Sequence, residues 1–499
     1  MSTSLIILTL VGYIALLFVV SWLASRHSDN ATFFTGGRRT PRMVAAVAMV
    51  GAAMSGVTYI SVPGTVLADG FSYLQTTLGF VVGYIIIAFV LVPMYYRLGV
   101  VSLYEYLDHR FGITTHRTGA WLFFVSKILA ASLRAYVICV VLQALLFDSL
   151  GIPFAVNALI MMALVWLYTR RGGVRSVVWV EFVKSIVMVG SIVAAILFVI
   201  RGMGISLGDA MSQIGSSELS DTIFMDDAMD RRYFWKQFIA GIFLVVAMTG
   251  MDQDMMQTVL SCRTKGDAQR SLMLSIAVQV VVITLFLLLG ALLYLFVMDR
   301  GLLTTDGAMP LVDGGGAVQV ARGDDLFGYV ATQCGLPVVV GVLFILGLVA
   351  STYSAAGSAL TALTTSFTLD ILGGGKRDDV AVSRMRRVSH TAIAVAMALI
   401  IILFYEFSAG GVITLIFTMA SYTYGPLLGM FLFGMLSKRR VKERAVPLIA
   451  VASPVVCYIV ATHSREWLSG YEFSYEIIVL NAALTMLGMW LFSERRAKS

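Results

Sequence analysis

The sequence is poor in charge: only 13% of its 499 residues are Asp, Glu, Lys or Arg, against 59% hydrophobic residues. A soluble domain carries about 25% charged residues, and half that number cannot cover a water-facing surface. A soluble enzyme and a nucleic-acid-binding protein are thereby excluded. Histidine is scarce, and His27, His109, His116, His390 and His463 fall in or beside loops without ligand spacing. No HExxH or GK[ST] element is present, which removes two usual marks of a membrane-embedded enzyme. The four cysteines, Cys139, Cys262, Cys334 and Cys457, form neither a metal pair nor a disulfide framework and read as small apolar filler.

What is abundant is long apolar sequence, with a mean hydropathy of +0.87. A helix needs about 20 apolar residues to cross the hydrocarbon layer. That criterion predicts thirteen spans, near 4–24, 42–69, 73–97, 119–147, 154–170, 174–200, 233–260, 271–298, 336–371, 388–404, 410–436, 445–463 and 474–494. Helices rather than a barrel follow from the length of the runs. The first, Ser4–Ala24, has no basic residue before it and no small-residue cleavage site after it, so it reads as a retained span. The fold class is therefore an all-α polytopic membrane protein, placed in a cell or bacterial inner membrane.

The charges that remain are distributed unevenly. Of 36 Lys and Arg, 26 lie in alternate loops that include Arg38, Arg39, Arg110, Arg386, Arg387 and Arg440. The intervening loops hold six, Arg201, Arg231, Arg232, Arg300, Arg322 and Arg465, and the last four, Lys127, Arg134, Lys184 and Lys236, sit in or at the ends of spans. Basic loops stay in the cytoplasm, so the N-terminus is expected outside and the C-terminus inside, as an odd number of spans requires. The net charge of +7 is a topological signal. The two longest outer loops are 201–232, which is acidic, and 299–335, which is rich in glycine (Gly307, Gly314, Gly315, Gly316, Gly323). They read as solvated covers, with a gate or vestibule as the other possibility.

Two spans are interrupted. Gly51, Ser55, Gly56, Pro63 and Gly64 fall inside the second, and Thr249, Gly250, Asp252, Gln253 and Asp254 inside the seventh. Glycine and proline weaken a helix, and free carbonyls at membrane depth are tolerated only beside a cavity or a bound group. A kinked packing helix is the plainer alternative. Interrupted segments in corresponding halves point to a secondary transporter built from inverted repeats. The ninth span carries Ser351, Thr352, Ser354 and Ser358 at spacings of three and four, a hydroxyl stripe. It either offers oxygen ligands to a small cation or packs helices closely through small residues.

Several segments resemble the sodium:solute symporter family. They are Thr32-Phe-Phe-Thr-Gly-Gly-Arg38, Ser102-Leu-Tyr-Glu-Tyr-Leu-Asp-His-Arg-Phe-Gly112, Gly172-Gly-Val-Arg-Ser-Val-Val-Trp179, Gln253-Asp-Met-Met-Gln257 and Ala350-Ser-Thr352, in the family's order between about residues 30 and 436. The resemblance implies one extra N-terminal helix with its inner loop (1–41), a leucine-transporter-like core of two five-helix repeats (42–202 and 233–436) separated by an outer loop (203–232), and two C-terminal helices with an inner tail (437–499). It also implies a sodium ion held by the carbonyls of Gly51, Met54 and Leu348 and the hydroxyls of Ser351 and Thr352. A second ion site used by some members would fall on Glu181 and Ser354. Here Lys184 lies one turn from Glu181, so either the pair is self-neutralised or Glu181 still serves an ion.

Charged residues inside spans are functional candidates. Arg134 resembles the carboxylate-binding arginine of related acidic-sugar transporters. With Ser55, Thr58, Ser61 and Gln75 it would suit an acidic sugar or another monocarboxylate, whereas Asp252 and Gln253 would suit a sugar, polyol or amino compound. Lys127 shares a helix face with Arg134 and has Asp252 and Asp254 as possible partners. The expected function is sodium-coupled import of a small polar organic solute by alternating access, with membrane lipid as a further partner and nucleic acid as none. The rivals are a proton-coupled symporter, with Asp252 or Glu181 carrying protons, and a transporter-like sensor, which would need an attached signalling domain.

Overall fold

The computed structural model describes residues 3–25, 30–300, 309–312, 318–321, 323, 326–374, 377–407 and 412–494. Lipid offers no partner to a backbone amide, so the apolar runs close their hydrogen bonds internally as helices. In chain order these are α1 (Thr3–Ser25), α2 (Arg42–Ala53), α3 (Gly56–Asp69), α4 (Tyr73–Leu98), α5 (Ile113–Leu142), α6 (Phe154–Arg170), α7 (Gly173–Met203), α8 (Phe234–Gly250), α9 (Gln253–Leu260), α10 (Lys265–Asp299), α11 (Val338–Ile371), α12 (Asp379–Phe407), α13 (Val412–Leu436), α14 (Val446–Thr462) and α15 (Ile477–Leu491).

Among the described residues nine helices are long and apolar enough to cross a membrane by themselves. Two further candidates are bent pairs: α2 and α3 meet at 60°, α8 and α9 at 68°. The shorter apolar helices α6 and α15 stand at the fifth and thirteenth segments expected from sequence. α6 and α7 run on from one another through Gly173, whose φ of 50° redirects the chain where the basic loop was expected. Gly307, Gly314, Gly315, Gly316, Arg322 and the start of the segment 410–436 lie outside the described residues.

Polarity is arranged inside out. Leu8, Val451 and Leu491 are more than 60% exposed, while Lys127, Glu181, Lys184, Asp252 and Asp254 are buried. That is the pattern of a bundle with lipid outside and polar groups within. α7 packs extensively on α11, and α10 packs on both halves of the first bent pair. These four segments bring the first break, the hydroxyl stripe and Glu181 into one region.

The two long loops are folded in their described parts. Residues 201–232 contain a helix, Leu207–Gly215, capped by Ser206. The second loop contributes a two-stranded hairpin, Met309–Val312 with Val318–Ala321, and the helix Leu326–Gln333.

Candidate functional site: two broken helices around a central cavity

The first break is short. α2 ends at Ala53, Met54 and Ser55 are extended, and α3 starts at Gly56. α3 then runs straight through Pro63, so the interruption expected over 51–64 contracts to two residues. A membrane helix tolerates such a proline because neighbouring groups satisfy what it frees. Met54 N–H turns back to the carbonyls of Val50 and Gly51, and no backbone N–H crosses the break to those of Ala52, Ala53 or Met54. These carbonyls are oxygen acceptors exposed at the break.

The hydroxyl stripe faces this break. A methyl group on Gly56 would lie 2.0 Å from Thr352 Oγ1 and 3.4 Å from Ser351 Oγ, so only glycine permits the approach. Both hydroxyls are buried and donate to the Leu348 carbonyl, at 2.8 Å from Ser351 and 3.0 Å from Thr352. Their protons are thus directed along α11, leaving lone pairs available on the side of the break. Carbonyl and hydroxyl oxygens, with no histidine or cysteine among them, suit a hard alkali cation rather than a transition metal.

Of the five residues expected to hold sodium, Met54, Ser351 and Thr352 stand together at the break. The carbonyls of the other two are already engaged. Leu348 accepts from both hydroxyls, and Gly51 accepts from Lys184 Nζ at 2.6 Å. Sequence pattern could not foresee this, because a lysine one turn from Glu181 reads as that residue's partner alone. It is both: Lys184 Nζ lies 3.1 Å from Glu181 Oε2, and Ser354 donates to Glu181 Oε1 at 2.9 Å.

The second break is sealed. Tyr95 donates to the Gly250 carbonyl at 2.9 Å and Tyr104 to that of Met251 at 3.1 Å. Asp252 caps α9 through the N–H groups of Asp254 and Met255, accepts from Tyr424 at 2.6 Å, and has Lys127 Nζ at 3.1 Å from Oδ2. Lys127 also lies 2.7 Å from Asp254, which accepts a short hydrogen bond from Ser358. Its free carbonyls and charges consumed, this break offers no comparable oxygen ligands. Tyr95, Tyr104 and Tyr424 were not identified from sequence, where a lone tyrosine looks like packing, and Ser358 stood out there only as part of the hydroxyl stripe.

Between the breaks lies a cavity of about 110 Å³ lined by α2, α3, α4, α5, α8, α9, α10 and α13. Ser55, Thr58, Arg134 and Asp252 are on its wall, as the sequence suggested, together with Lys127, Tyr84, Gln279 and Tyr424. Ser61 is buried in α3 away from it. Gln75 is not on it either: its amide donates to the Arg232 carbonyl at 2.8 Å and accepts from Phe224 N–H at 3.1 Å, clamping loop 201–232. Gln253 likewise holds the loop that follows α4, bonded to Leu103 N–H and the Val101 carbonyl, both at 2.9 Å. These glutamines depart from the expectation because a loop amide outcompeted the cavity for each.

Arg134 differs from every other charge here. Its Nε is buried and has no hydrogen-bond partner among the described residues, and no described ion pair involves it. The cavity shares Tyr73 and Phe417 with a second chamber, lined also by Asp69, Arg231, Arg232 and Ser474. An ion pair at 2.5 Å joins Arg231 to Asp69, and Arg232 bonds Asp230, raising the Arg232 pKa and lowering that of Asp230. Loop 201–232 thus supplies part of the wall of this second chamber.

Two bent helices around a polar cavity at the centre of an apolar bundle define a secondary-transporter core. A substrate-bound outward-open structure of a Na+-coupled sialic acid symporter superposes with a TM-score of 0.79, covering 99% of each chain at 17% identity, which establishes the leucine-transporter-like fold. The sequence profile of the sodium:solute symporter family matches residues 33–447, and the chain belongs to that family. Similar proteins include the sodium/iodide cotransporter of Homo sapiens (24% identity, 85% of this chain, 65% of the relative). Others are the sodium-coupled monocarboxylate transporter 1 of Homo sapiens (27%, 82% and 65%) and the sodium-dependent multivitamin transporter of Oryctolagus cuniculus (25%, 80% and 60%). The chain spans 65% or less of the length of these relatives.

Proposed function

We propose that this chain is a sodium-coupled symporter that imports a small monocarboxylate-bearing solute. Arg134 carries the choice of solute. It is the cavity's unpaired cation, whereas Asp252, the acid that would recognise an amine, is already bound by Lys127 and Tyr424. A buried donor without an acceptor is costly, and a solute carboxylate supplies the acceptor through a charge-assisted bond. The relatives named for monocarboxylates support the same class.

Sodium enters this reading at the first break, with Met54, the carbonyls beside it, Ser351 and Thr352 as ligands. Met54 lies on the cavity wall next to Ser55, so an ion there orders the surface the solute meets. Each ligand then binds better with the other present, a coupling of about 1–3 kcal/mol. The two bent pairs begin the halves 42–202 and 233–436, whose rocking would expose the cavity alternately to the two sides. The basic loops support an N-terminus outside and a C-terminus in the cytoplasm.

The test is uptake into proteoliposomes driven by an imposed sodium gradient at constant pH. Wild-type protein should accumulate a labelled monocarboxylate. Ser351→Ala/Thr352→Ala should abolish sodium dependence, and Arg134→Ala should remove carboxylate uptake while sodium binding persists. Full accumulation by the double variant would refute the ion site, and undiminished uptake by Arg134→Ala the solute class.

A further inference from the structure

Three segments converge on the ammonium of Lys184. α2 contributes the Gly51 carbonyl at 2.6 Å, and α7 contributes Glu181 Oε2 at 3.1 Å. α11 contributes Ser354, bonded to the other carboxylate oxygen at 2.9 Å. Glu181 and Lys184 are 0% exposed, and neither is on the wall of the solute cavity. The packing is close: a methyl group on Gly51 would lie 2.8 Å from Glu181 Oε2 and 2.4 Å from Ser185 Oγ. Nothing in this arrangement is available to a solute.

The arrangement is that of a cation site. One carboxylate, one carbonyl and a hydroxyl in the second layer are hard oxygen donors of the kind an alkali ion takes. The carboxylate is fully buried and needs a positive charge beside it. Here that charge is covalently attached. If the ammonium is removed, Glu181 is left as a buried anion next to a free carbonyl, and the space vacated by a four-carbon side chain adjoins both.

We propose that Lys184 is a tethered cation filling a latent sodium site formed by Gly51, Glu181 and Ser354. This rests on the reading of a sodium ion at Ser351 and Thr352, which makes the latent site the second. An attached ammonium cannot leave with the solute and contributes no gradient energy, so wild-type protein moves one sodium per cycle. It also fixes the end of α2 to α7 whether or not sodium is present, so Gly51 is held by Lys184 while Met54 remains free to bind the mobile ion. A purely structural salt bridge predicts no new ion binding when Lys184 is removed.

The experiment measures 22Na+ bound per full-length protein at saturation in detergent, with N-methylglucamine as the balancing cation, alongside the sodium dependence of the melting temperature. Wild type should bind one sodium, Lys184→Ala two, and Lys184→Ala/Glu181→Gln one. Two sodium ions on wild type, no gain in Lys184→Ala, or a gain that survives Glu181→Gln would overturn the proposal. None on wild type with one on Lys184→Ala would uphold it while removing the site at Ser351 and Thr352. If Lys184→Ala does not fold, Lys184→Met preserves the packing without the charge. Its melting temperature should then rise more steeply with sodium than that of wild type, and a curve no steeper would overturn the proposal.

Discussion

Gly56 and Thr352 lie so close that a single methyl group on the glycine would stand 2.0 Å from the threonine hydroxyl oxygen. That contact locks the start of α3 to the hydroxyl stripe of α11. Gly56→Ala must push the two apart, because backbone on one side and a buried, hydrogen-bonded hydroxyl on the other leave no flexible atom to yield. We expect the half-saturating sodium concentration to rise at least about tenfold, equivalent to about 1.4 kcal/mol. Adding Thr352→Ala should restore thermal stability but not sodium affinity, since it removes a proposed ligand along with the clash. Sodium titrations of the single variant that match wild type would count against the shared site.

Lys127 holds two carboxylates, 3.1 Å from Asp252 and 2.7 Å from Asp254. Removing one partner of a buried ion pair costs about 3–5 kcal/mol because the other charge is stranded. Lys127→Met should therefore lower the melting temperature sharply or prevent folding. Lys127→Met/Asp252→Asn/Asp254→Asn, which strands no charge, should recover most of that loss in detergent melting curves. A single variant as stable as wild type would mean that the pair is solvated.

The broad architecture was legible because membrane helices announce themselves in composition, and the two breaks because glycine and acidic residues are conspicuous in apolar runs. What was not legible was side-chain partnership. Glu181 and Lys184 stand one turn apart in the sequence, yet the Gly51 carbonyl that completes their arrangement comes from a helix about 130 residues away. Pro63 looked like a helix breaker and sits inside α3, because tertiary neighbours decide whether a lost backbone bond ends a membrane helix. Gln75 and Gln253 looked like solute ligands because polar residues at membrane depth are rare. Their amides proved to be loop clamps, a distinction that depends on where the loops return.

Gln75 makes that distinction measurable. Its side chain bonds Arg232 and Phe224 across loop 201–232. Gln75→Ala leaves two backbone groups without partners, at about 1–3 kcal/mol for a buried group. The melting temperature should fall while the apparent affinity for a competing monocarboxylate stays within about twofold of wild type. A selective loss of solute affinity at unchanged stability would return Gln75 to the solute site.

Between α4 and α5, Glu105 opens the short helix Glu105–Arg110 and accepts a hydrogen bond from Ser102 N–H at 3.3 Å. Burial raises its pKa above the usual carboxylate range, with the nearby Asp370 carboxylate adding to the effect against the bond from Ser102. A carboxyl group with a raised folded-state pKa binds its proton more tightly in the folded protein than in the unfolded chain. Its stabilising contribution is therefore complete below the unfolded value and is lost as the pH climbs through the folded one. Glu105→Gln, which imitates the protonated form, should raise the melting temperature at neutral pH and leave it unchanged in acid. Melting curves across the acidic range would show the two proteins converging as the pH falls. A Glu105→Gln protein that melted below wild type at neutral pH, the two again converging in acid, would mean that Glu105 is stabilised as the anion, held by Ser102 more strongly than burial opposes it.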